Sequence, residues 1–160
     1  MSPEISEFPG KLLAGVHRRT SFVNDRTSEL WREFRAREGE IEGRVGGESY
    51  SVKVYDSAYS FSEFDPASEF DKWAAAEVSL RPDGLDRLDI PAGKYAVFVH
   101  TGPAAEAPRT FGYIFGQWLP NSEYELDTRP HFEVLPKGYD PFDPNAEEEI
   151  WIPIRDKENL

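Results

Sequence analysis

GKLLAGVH, residues 10–17, returns as GKYAVFVH at residues 93–100. Each copy starts at a glycine, continues with apolar residues at strand-like spacing and ends in Val-His. Alternation of this kind is typical of a half-buried β-strand. If the two copies mark a duplicated unit, the same succession of elements should follow each of them.

A helix is predicted after each strand. The segment NDRTSELWREFRARE follows the first copy and offers Asn24 or Asp25 as an N-cap. The segment APRTFGYIFGQWLP follows the second copy, with Pro108 in a first-turn position and Pro120 as a stop. Both segments carry apolar residues at helical spacing, so both helices should pack against a sheet.

Two further strands are predicted after each helix. They are SYSVKVY (49–55), KWAAAEVSL (72–80), HFEVLP (131–136) and EIWIPI (149–154). The turn-rich connection 81–93 is too short for a flexible linker between independent domains. We therefore predict one domain over residues 1–160, an α+β fold of two βαββ units at about 10–80 and 92–154. We also expect approximate twofold symmetry, mostly antiparallel strands, two helices on one face and a central cleft.

Charge and composition favour some partners over others. The 160 residues contain 30 acidic and 18 basic side chains, for a formal net charge of −12. Such a charge disfavours nucleic acid and anionic membranes, and suits cationic or neutral small molecules. There is no cysteine, and the acidic N-terminus lacks the features of a signal peptide. We expect a cytoplasmic protein without disulfides or a membrane segment.

Three glutamates lie in or beside apolar strands. Glu133 is the one carboxylate of PHFEVLP, Glu77 is the only charge between Ala74 and Leu80, and Glu149 directly precedes IWIPI. Strand alternation places Glu133 on the face opposite Phe132. That face is either solvated, which is the commoner meaning of the pattern, or part of a pocket.

Aromatic side chains are the natural partners of such carboxylates. The candidate rings are Trp31, Tyr55, Trp73, Tyr95, Phe111, Tyr113, Trp118 and Trp151. Most aromatic residues at these spacings belong to an ordinary core. If some of them face a groove together with a carboxylate, stacking and cation–π attraction favour a lipophilic cation.

Motifs for other chemistry are absent from the sequence. His17, His100 and His131 do not have metal-ligand spacing, and no nucleophile–base series is visible. Neither a GxGxxG or P-loop motif nor GxSxG occurs. We therefore predict neither a metal nor an organic cofactor. A half-buried glutamate with a nearby tyrosine leaves a hydrolase as an alternative to a binding protein.

Several segments together resemble the GyrI-like effector-binding family. They are IPAGKYAVFVHTGP (90–103), the helix ending in WLP (118–120), PHFEVLP (130–136) and EEEIWIPI (147–154), with KLLAGV, LWREF and KWAAAEV in the first half. The resemblance covers nearly the whole chain. It implies paired βαββ units with a small-molecule cleft between them. Members include sensors in multidrug-responsive regulators, drug-binding proteins, gyrase inhibitors and hydrolases of cyclopropanoid alkylating compounds.

The resemblance also implies functional residues. The pocket glutamate of drug-sensing members corresponds to Glu133, and Glu77 and Glu149 match acidic positions less securely. The predicted ligand-binding set is Glu133, Glu77, Glu149, Trp31, Tyr55, Trp73, Tyr113, Trp118 and Trp151. Residues outside the two units leave no space for a DNA-binding domain, so we expect a stand-alone protein without direct nucleic-acid contact.

Three hypotheses follow from these residues. The first is a protein that binds hydrophobic, cationic ligands or xenobiotics through Glu133. The second is a hydrolase of reactive xenobiotics in which Glu133 or Glu77 activates water with help from Tyr113. The third is an interaction with a protein partner, such as a topoisomerase or a regulator.

Overall fold

The computed structural model describes residues 1–81 and 83–158. These residues form nine strands and two main helical segments, joined by loops. The elements are β1 (Glu4–Phe8), β2 (Lys11–Thr20), α1 (Thr27–Arg37), β3 (Ser49–Val54), β4 (Phe70–Glu77), β5 (Asp86–Ile90), β6 (Gly93–Thr101), α2 (Ala107–Tyr113), α3 (Leu119–Asn121), β7 (Tyr124–Leu126), β8 (His131–Leu135) and β9 (Glu147–Asp156). Every strand pairing is antiparallel, which confirms the predicted α+β class. None of the helices in these ranges is long and apolar enough to cross a bilayer.

The strand order makes the sheet curve. Its order is β1-β6-β9-β8-β3-β4-β2-β5, with β7 added beside β9. Only Pro9 and Gly10 separate β1 from β2, although these strands lie near opposite ends of the order. The two ends of the sheet must therefore approach each other. At this approach Gly10 has φ 86°, and a Cβ there would lie 3.2 Å from the Ala92 nitrogen, so the turn needs glycine.

Cross-strand pairing gives the sheet two distinct faces. On the helix face, Leu30 and Phe34 of α1 pack against small residues such as Ala74. Ile114, beyond α2, packs against Phe98 and other apolar side chains of the same face. The opposite, open face carries a cluster of buried rings that includes Phe8, Tyr50, Trp73, Tyr95 and Phe132. Both helices lie on one face, as predicted.

The second helix changes its winding along its length. Pro108 is in the first turn of α2, as predicted, and the helix passes through a π-helical turn (Ile114–Trp118) into α3. The Leu119 N–H donates to the Ile114 carbonyl across the wider turn, and Pro120 has no N–H with which to continue an α-helical pattern. A π turn of this kind is often found near functional sites. The helix ends at Asn121, one residue after the predicted stop.

Some strands and boundaries differ from the prediction. β5 lies within the connection 81–93 that the sequence indicates to be turns, and β1 and β7 were not predicted. β1 and β5 are short edge strands of mixed polarity. Hydrogen bonds to the neighbouring strand hold them in place, so their sequences need no alternating apolar pattern. α1 begins at Thr27, after both proposed caps, and Asp25 Oδ1 accepts the Thr27 N–H at 2.9 Å from just outside the helix.

Candidate functional site

A small chamber lies on the helix face, between the second helix and the middle of the sheet. Its polar lining comes from the two central strands and the residue after β3, namely Ser51, Lys53, Tyr55, His131 and Glu133. Phe111 and Phe115 of the second helical segment cover it. The chamber encloses about 20 Å³. Because one water molecule needs about 10–15 Å³, the chamber in this form is water-sized.

Glu133 reaches the chamber because of the register between β3 and β8. Ser51 pairs with Glu133, and Lys53 pairs with His131, so all four side chains share the helix face. Phe132 and Val134 point to the open face, in agreement with the predicted alternation. Glu133 is half-buried. The sequence left open whether its face is solvated, and in the structure that face is covered by the second helix.

Glu148 forms a carboxyl pair with Glu133. Ile150 pairs with Glu133, so Glu148 lies diagonally opposite on the neighbouring strand β9. Only 5% of Glu148 is exposed, and its Oε2 accepts a hydrogen bond from the Tyr139 hydroxyl at 3.4 Å. Its Oε1 has no partner in the described ranges while both carboxyls are ionised. Once protonated, Glu148 can donate to Glu133.

Burial and the negative charge of Glu133 raise the pKa of Glu148 to about 8. Glu148 therefore holds its proton at neutral pH and provides a carboxylic acid beside Glu133. Glu148 was not among the predicted site residues, because it lies in the charged run EEE. Strand alternation could have indicated that Glu148 is buried, because it is in phase with Ile150, Ile152 and Ile154 on the apolar face of β9.

Lys53 places a cation in the same chamber. Its Nζ lies 4.4 Å from the centre of the Phe111 ring and 5.7 Å from that of Phe22. Burial lowers the pKa of Lys53 to about 8, and attraction to Glu133 opposes that shift. The ammonium group makes a cation–π contact instead of a close ion pair with any described residue.

Further aromatic rings pack against His131 and Phe115 of the chamber lining. Phe61, from the β3–β4 loop, stacks on His131 with a centroid distance of 5.5 Å and on Phe115 with 5.8 Å. Tyr55 meets His131 edge-on at 4.9 Å. Burial lowers the pKa of His131 to about 3, so this ring is neutral, and burial raises the pKa of Tyr55, so its hydroxyl keeps its proton.

The other two predicted glutamates, Glu77 and Glu149, border a different cavity. An open-face groove of about 740 Å³ is lined by Glu77, Glu149 and Trp151, together with Tyr50 and Phe132. Glu77 pairs with Lys11 at 3.2 Å, and Glu149 accepts the Trp151 indole N–H at 3.2 Å. Trp151 borders the chamber as well as the groove. The sheet therefore separates Glu133 from the other two glutamates.

The remaining predicted rings make packing contacts. Trp31 packs edge-on against Phe34 within the α1 cluster, and Trp118 packs edge-on against Phe98 at 5.2 Å. Trp73 stacks on His17 at 4.2 Å on the open face. Tyr113 packs against the helix-face core, and its hydroxyl donates to the Met1 carbonyl at 2.8 Å. Of the predicted set, only Glu133, Tyr55 and Trp151 border the chamber.

No three His, Asp or Glu side chains in the described ranges converge as a metal site. The chamber lining thus presents the Glu133 carboxyl, one ammonium group, a neutral imidazole and several rings, and Glu148 lies next to Glu133 at the edge of this lining. A carboxylate held among aromatic rings attracts cations, and an acid beside a base transfers protons.

Comparison with known proteins matches this chain to a family of small-molecule-binding domains. The sequence profile of the GyrI-like small molecule binding domain matches residues 1–155. The transcriptional regulator BrlR of Pseudomonas aeruginosa is 31% identical over 158 residues, which cover 96% of this chain and 56% of the regulator. This chain therefore spans little more than half the length of that relative.

Solved structures share the fold at low sequence identity. The structure of SAV2435 bound to tetraphenylphosphonium superposes with a TM-score of 0.71 and 15% identity, over 97% of this chain and 94% of that one. The EcmrR C-terminal domain gives a TM-score of 0.72 and 16% identity, over 97% and 98% of the two chains. At these identities the similarity establishes the fold.

Proposed function

The chain belongs to the GyrI-like small-molecule-binding domain family, and we propose that it binds hydrophobic organic cations in the chamber, with Glu133 as the key polar contact. The single observation that carries the proposal is the position of Glu133, a half-buried carboxylate at the centre of the sheet beside Tyr55 and Phe115. A structural neighbour that binds tetraphenylphosphonium supports the choice of ligand class.

The chamber supplies both parts of cation recognition. Each ring that contacts a cation contributes about 0.5–2 kcal/mol, depending on how far the cation is desolvated. Glu133 supplies a counter-charge that the covering helix screens from water. Glu148 adds to this charge, because an entering cation favours loss of the proton that Glu148 holds near neutral pH.

A ligand of drug size requires the chamber to enlarge, since ligand pockets occupy about 300–1,000 Å³. The β3–β4 loop is the part of the cover best suited to move. Its rings are only partly packed, with Phe61 39% exposed and Phe64 57% exposed. Displacement of Phe61 uncovers His131 and Phe115 for stacking with the ligand.

Isothermal titration calorimetry with tetraphenylphosphonium tests the proposal. We expect Glu133→Gln, which keeps the size of the side chain and removes its charge, to weaken binding at least about tenfold, or about 1.4 kcal/mol. Glu77→Gln is the matched control, because Glu77 lies across the sheet and pairs with Lys11. Equal affinities of the wild type and Glu133→Gln would refute this role of Glu133.

The carboxyl pair favours a second candidate, the hydrolysis of reactive electrophiles such as cyclopropanoids. Glu133 is placed to take a proton from an attacking water, and Glu148 to return one to the leaving group. Tyr139 replaces Tyr113 as the assisting tyrosine, because the Tyr139 hydroxyl donates to Glu148 whereas the Tyr113 hydroxyl donates to the Met1 carbonyl. Substrate consumption that Glu133→Gln and Glu148→Gln both abolish would support hydrolysis. Binding without consumption would leave recognition alone.

A further inference from the structure

Lys53 occupies the place in the chamber that a ligand cation would take. Its ammonium group lies over the Phe111 ring at 4.4 Å, within the range of a cation–π contact. Glu133, across the β3–β8 pair, and Glu148, on β9, attract this charge. An aromatic face with carboxylates nearby is the combination expected to bind a foreign cation.

The contacts of Lys53 differ from those of the other lysines near it in the sheet. Lys11 bonds both Tyr50, at 2.9 Å, and Glu77, at 3.2 Å. Lys72, which pairs with Lys53 across β3 and β4, donates to Thr27 at 3.1 Å. Within the described ranges Lys53 has no such hydrogen bond or close ion pair, so displacing its ammonium breaks none.

We propose that Lys53 is a tethered competitor, a built-in cation that a ligand cation must displace or find uncharged before it binds in the chamber. The inference rests on the proposed function, that the chamber binds cations, and adds a residue that limits which cations bind and at what pH. One positive charge on Lys53 balances one negative charge on the glutamate pair. A second cation entering beside Lys53 is compensated only if Glu148 also gives up its proton, which its raised pKa opposes at neutral pH.

The charged and titratable groups around Lys53 come from four elements. They are Lys72 on β4, His131 and Glu133 on β8, Glu148 on β9, and Asp25 just before α1. Lys72 repels the Lys53 ammonium, and the three carboxyl groups attract it. His131 stays neutral at physiological pH because burial lowers its pKa to about 3. Lys53 and Glu148 each have a pKa of about 8, so both change charge between pH 7 and 9.

Competition by Lys53 predicts a pH-dependent affinity. With a pKa of about 8, the uncharged fraction of Lys53 rises from about one-tenth at pH 7 to about nine-tenths at pH 9. Apparent affinity scales with the competent fraction, so cation binding should strengthen about tenfold over this interval. Ionisation of Glu148 acts in the same direction, so the pH profile of the wild type alone does not identify Lys53.

The test compares wild type with Lys53→Met, whose side chain has similar length and no charge, by calorimetry with tetraphenylphosphonium at pH 7 and pH 9. We expect Lys53→Met to bind about tenfold more tightly at pH 7, and the difference to shrink below about threefold at pH 9. The Glu148 contribution is common to both proteins and largely cancels in their ratio. Lys94→Met is the control, since Lys94 on β6 bonds Asp156 at 3.2 Å and lies outside both the chamber lining and the groups that act on Lys53, so this variant should bind like the wild type.

Each outcome decides between the two proposals. Equal binding by the wild type and Lys53→Met at pH 7, or weaker binding by Lys53→Met, overturns the competition while leaving cation binding in place. A tenfold gap that persists unchanged at pH 9 also overturns it, because an uncharged lysine no longer competes. If no folded variant binds the cation at either pH, the proposed function itself fails. Thermal unfolding of each variant verifies that it is folded.

Discussion

Glu133 and Glu148 approach each other diagonally across the β8–β9 pair, and the more buried member, Glu148, has its pKa raised to about 8. The ordinary pKa of a glutamate is 4.5, so the folded protein retains a proton that the unfolded chain releases at lower pH. Folding is therefore linked to proton binding, and this relationship makes the carboxyl pair measurable without a ligand.

Removal of the Glu148 carboxyl should flatten the pH dependence of stability. Because the pKa of Glu148 is raised in the folded protein, its contribution to the free energy of unfolding is fully present below pH 4.5 and is lost as pH rises through 8. The loss is up to about 1.4 kcal/mol per pH unit. We expect Glu148→Gln to lose this slope and to exceed the wild type in free energy of unfolding at pH 8.5. Urea unfolding at pH 5, 7 and 8.5 measures the free energy of unfolding of both proteins. Glu149→Gln, an exposed neighbour, should keep the wild-type slope, and an unchanged slope in Glu148→Gln would contradict the prediction.

His131 should destabilise the protein in acid. Its pKa is lowered to about 3 from 6.5, so the stability it contributes is present above pH 6.5 and declines as pH falls toward 3. His131→Phe keeps a ring for stacking on Phe61 and cannot be protonated. We predict a shallower loss of stability between pH 6.5 and 4 than in the wild type, measured by thermal unfolding. His17→Gln, at a more exposed histidine, serves as the control, and the same loss in His131→Phe and the wild type would count against this role of His131.

Phe61 should slow the entry of ligands. Phe61→Ala removes the ring that stacks on His131 and Phe115, while its partial exposure keeps the cost in stability near 1 kcal/mol. If opening of the β3–β4 loop limits association, the association rate of tetraphenylphosphonium should rise about threefold or more. Stopped-flow fluorescence measures this rate. Phe142→Ala, at a ring 85% exposed in another loop, should leave the rate unchanged. Equal rates in Phe61→Ala and the wild type would place the entrance elsewhere.

The sequence predicted the parts of the fold that carry strong periodicity. The two Gly-Lys strands, both helices and the orientation of Glu133 follow from alternation and from proline positions. β5 was missed because DRLDI has little apolar character and is ordered by its pairing with β2. Edge strands of this kind depend on tertiary contacts more than on local pattern.

The site was less predictable than the fold. Alternation shows that Glu133 and Phe132 lie on opposite faces, but which face a helix covers depends on tertiary packing. Trp151 is next to Ile150, the cross-strand partner of Glu133, and borders both cavities, whereas Glu77, two strands from Glu133, lines only the open-face groove. Lys53 was not predicted as a site residue, because a lysine in SYSVKVY is compatible with an ordinary solvent-facing position. Its place beneath Phe111 requires the second helix to be in position.

A crystal structure of the complex with tetraphenylphosphonium decides whether cations bind beside Glu133, because it locates the ligand relative to both faces of the sheet. We expect the ligand on the helix face, with its phosphorus within about 6 Å of the Glu133 carboxyl, Phe61 displaced and the Lys53 ammonium moved away from Phe111. Ligand in the open-face groove, between Glu77 and Trp151 with the chamber still closed, would contradict it.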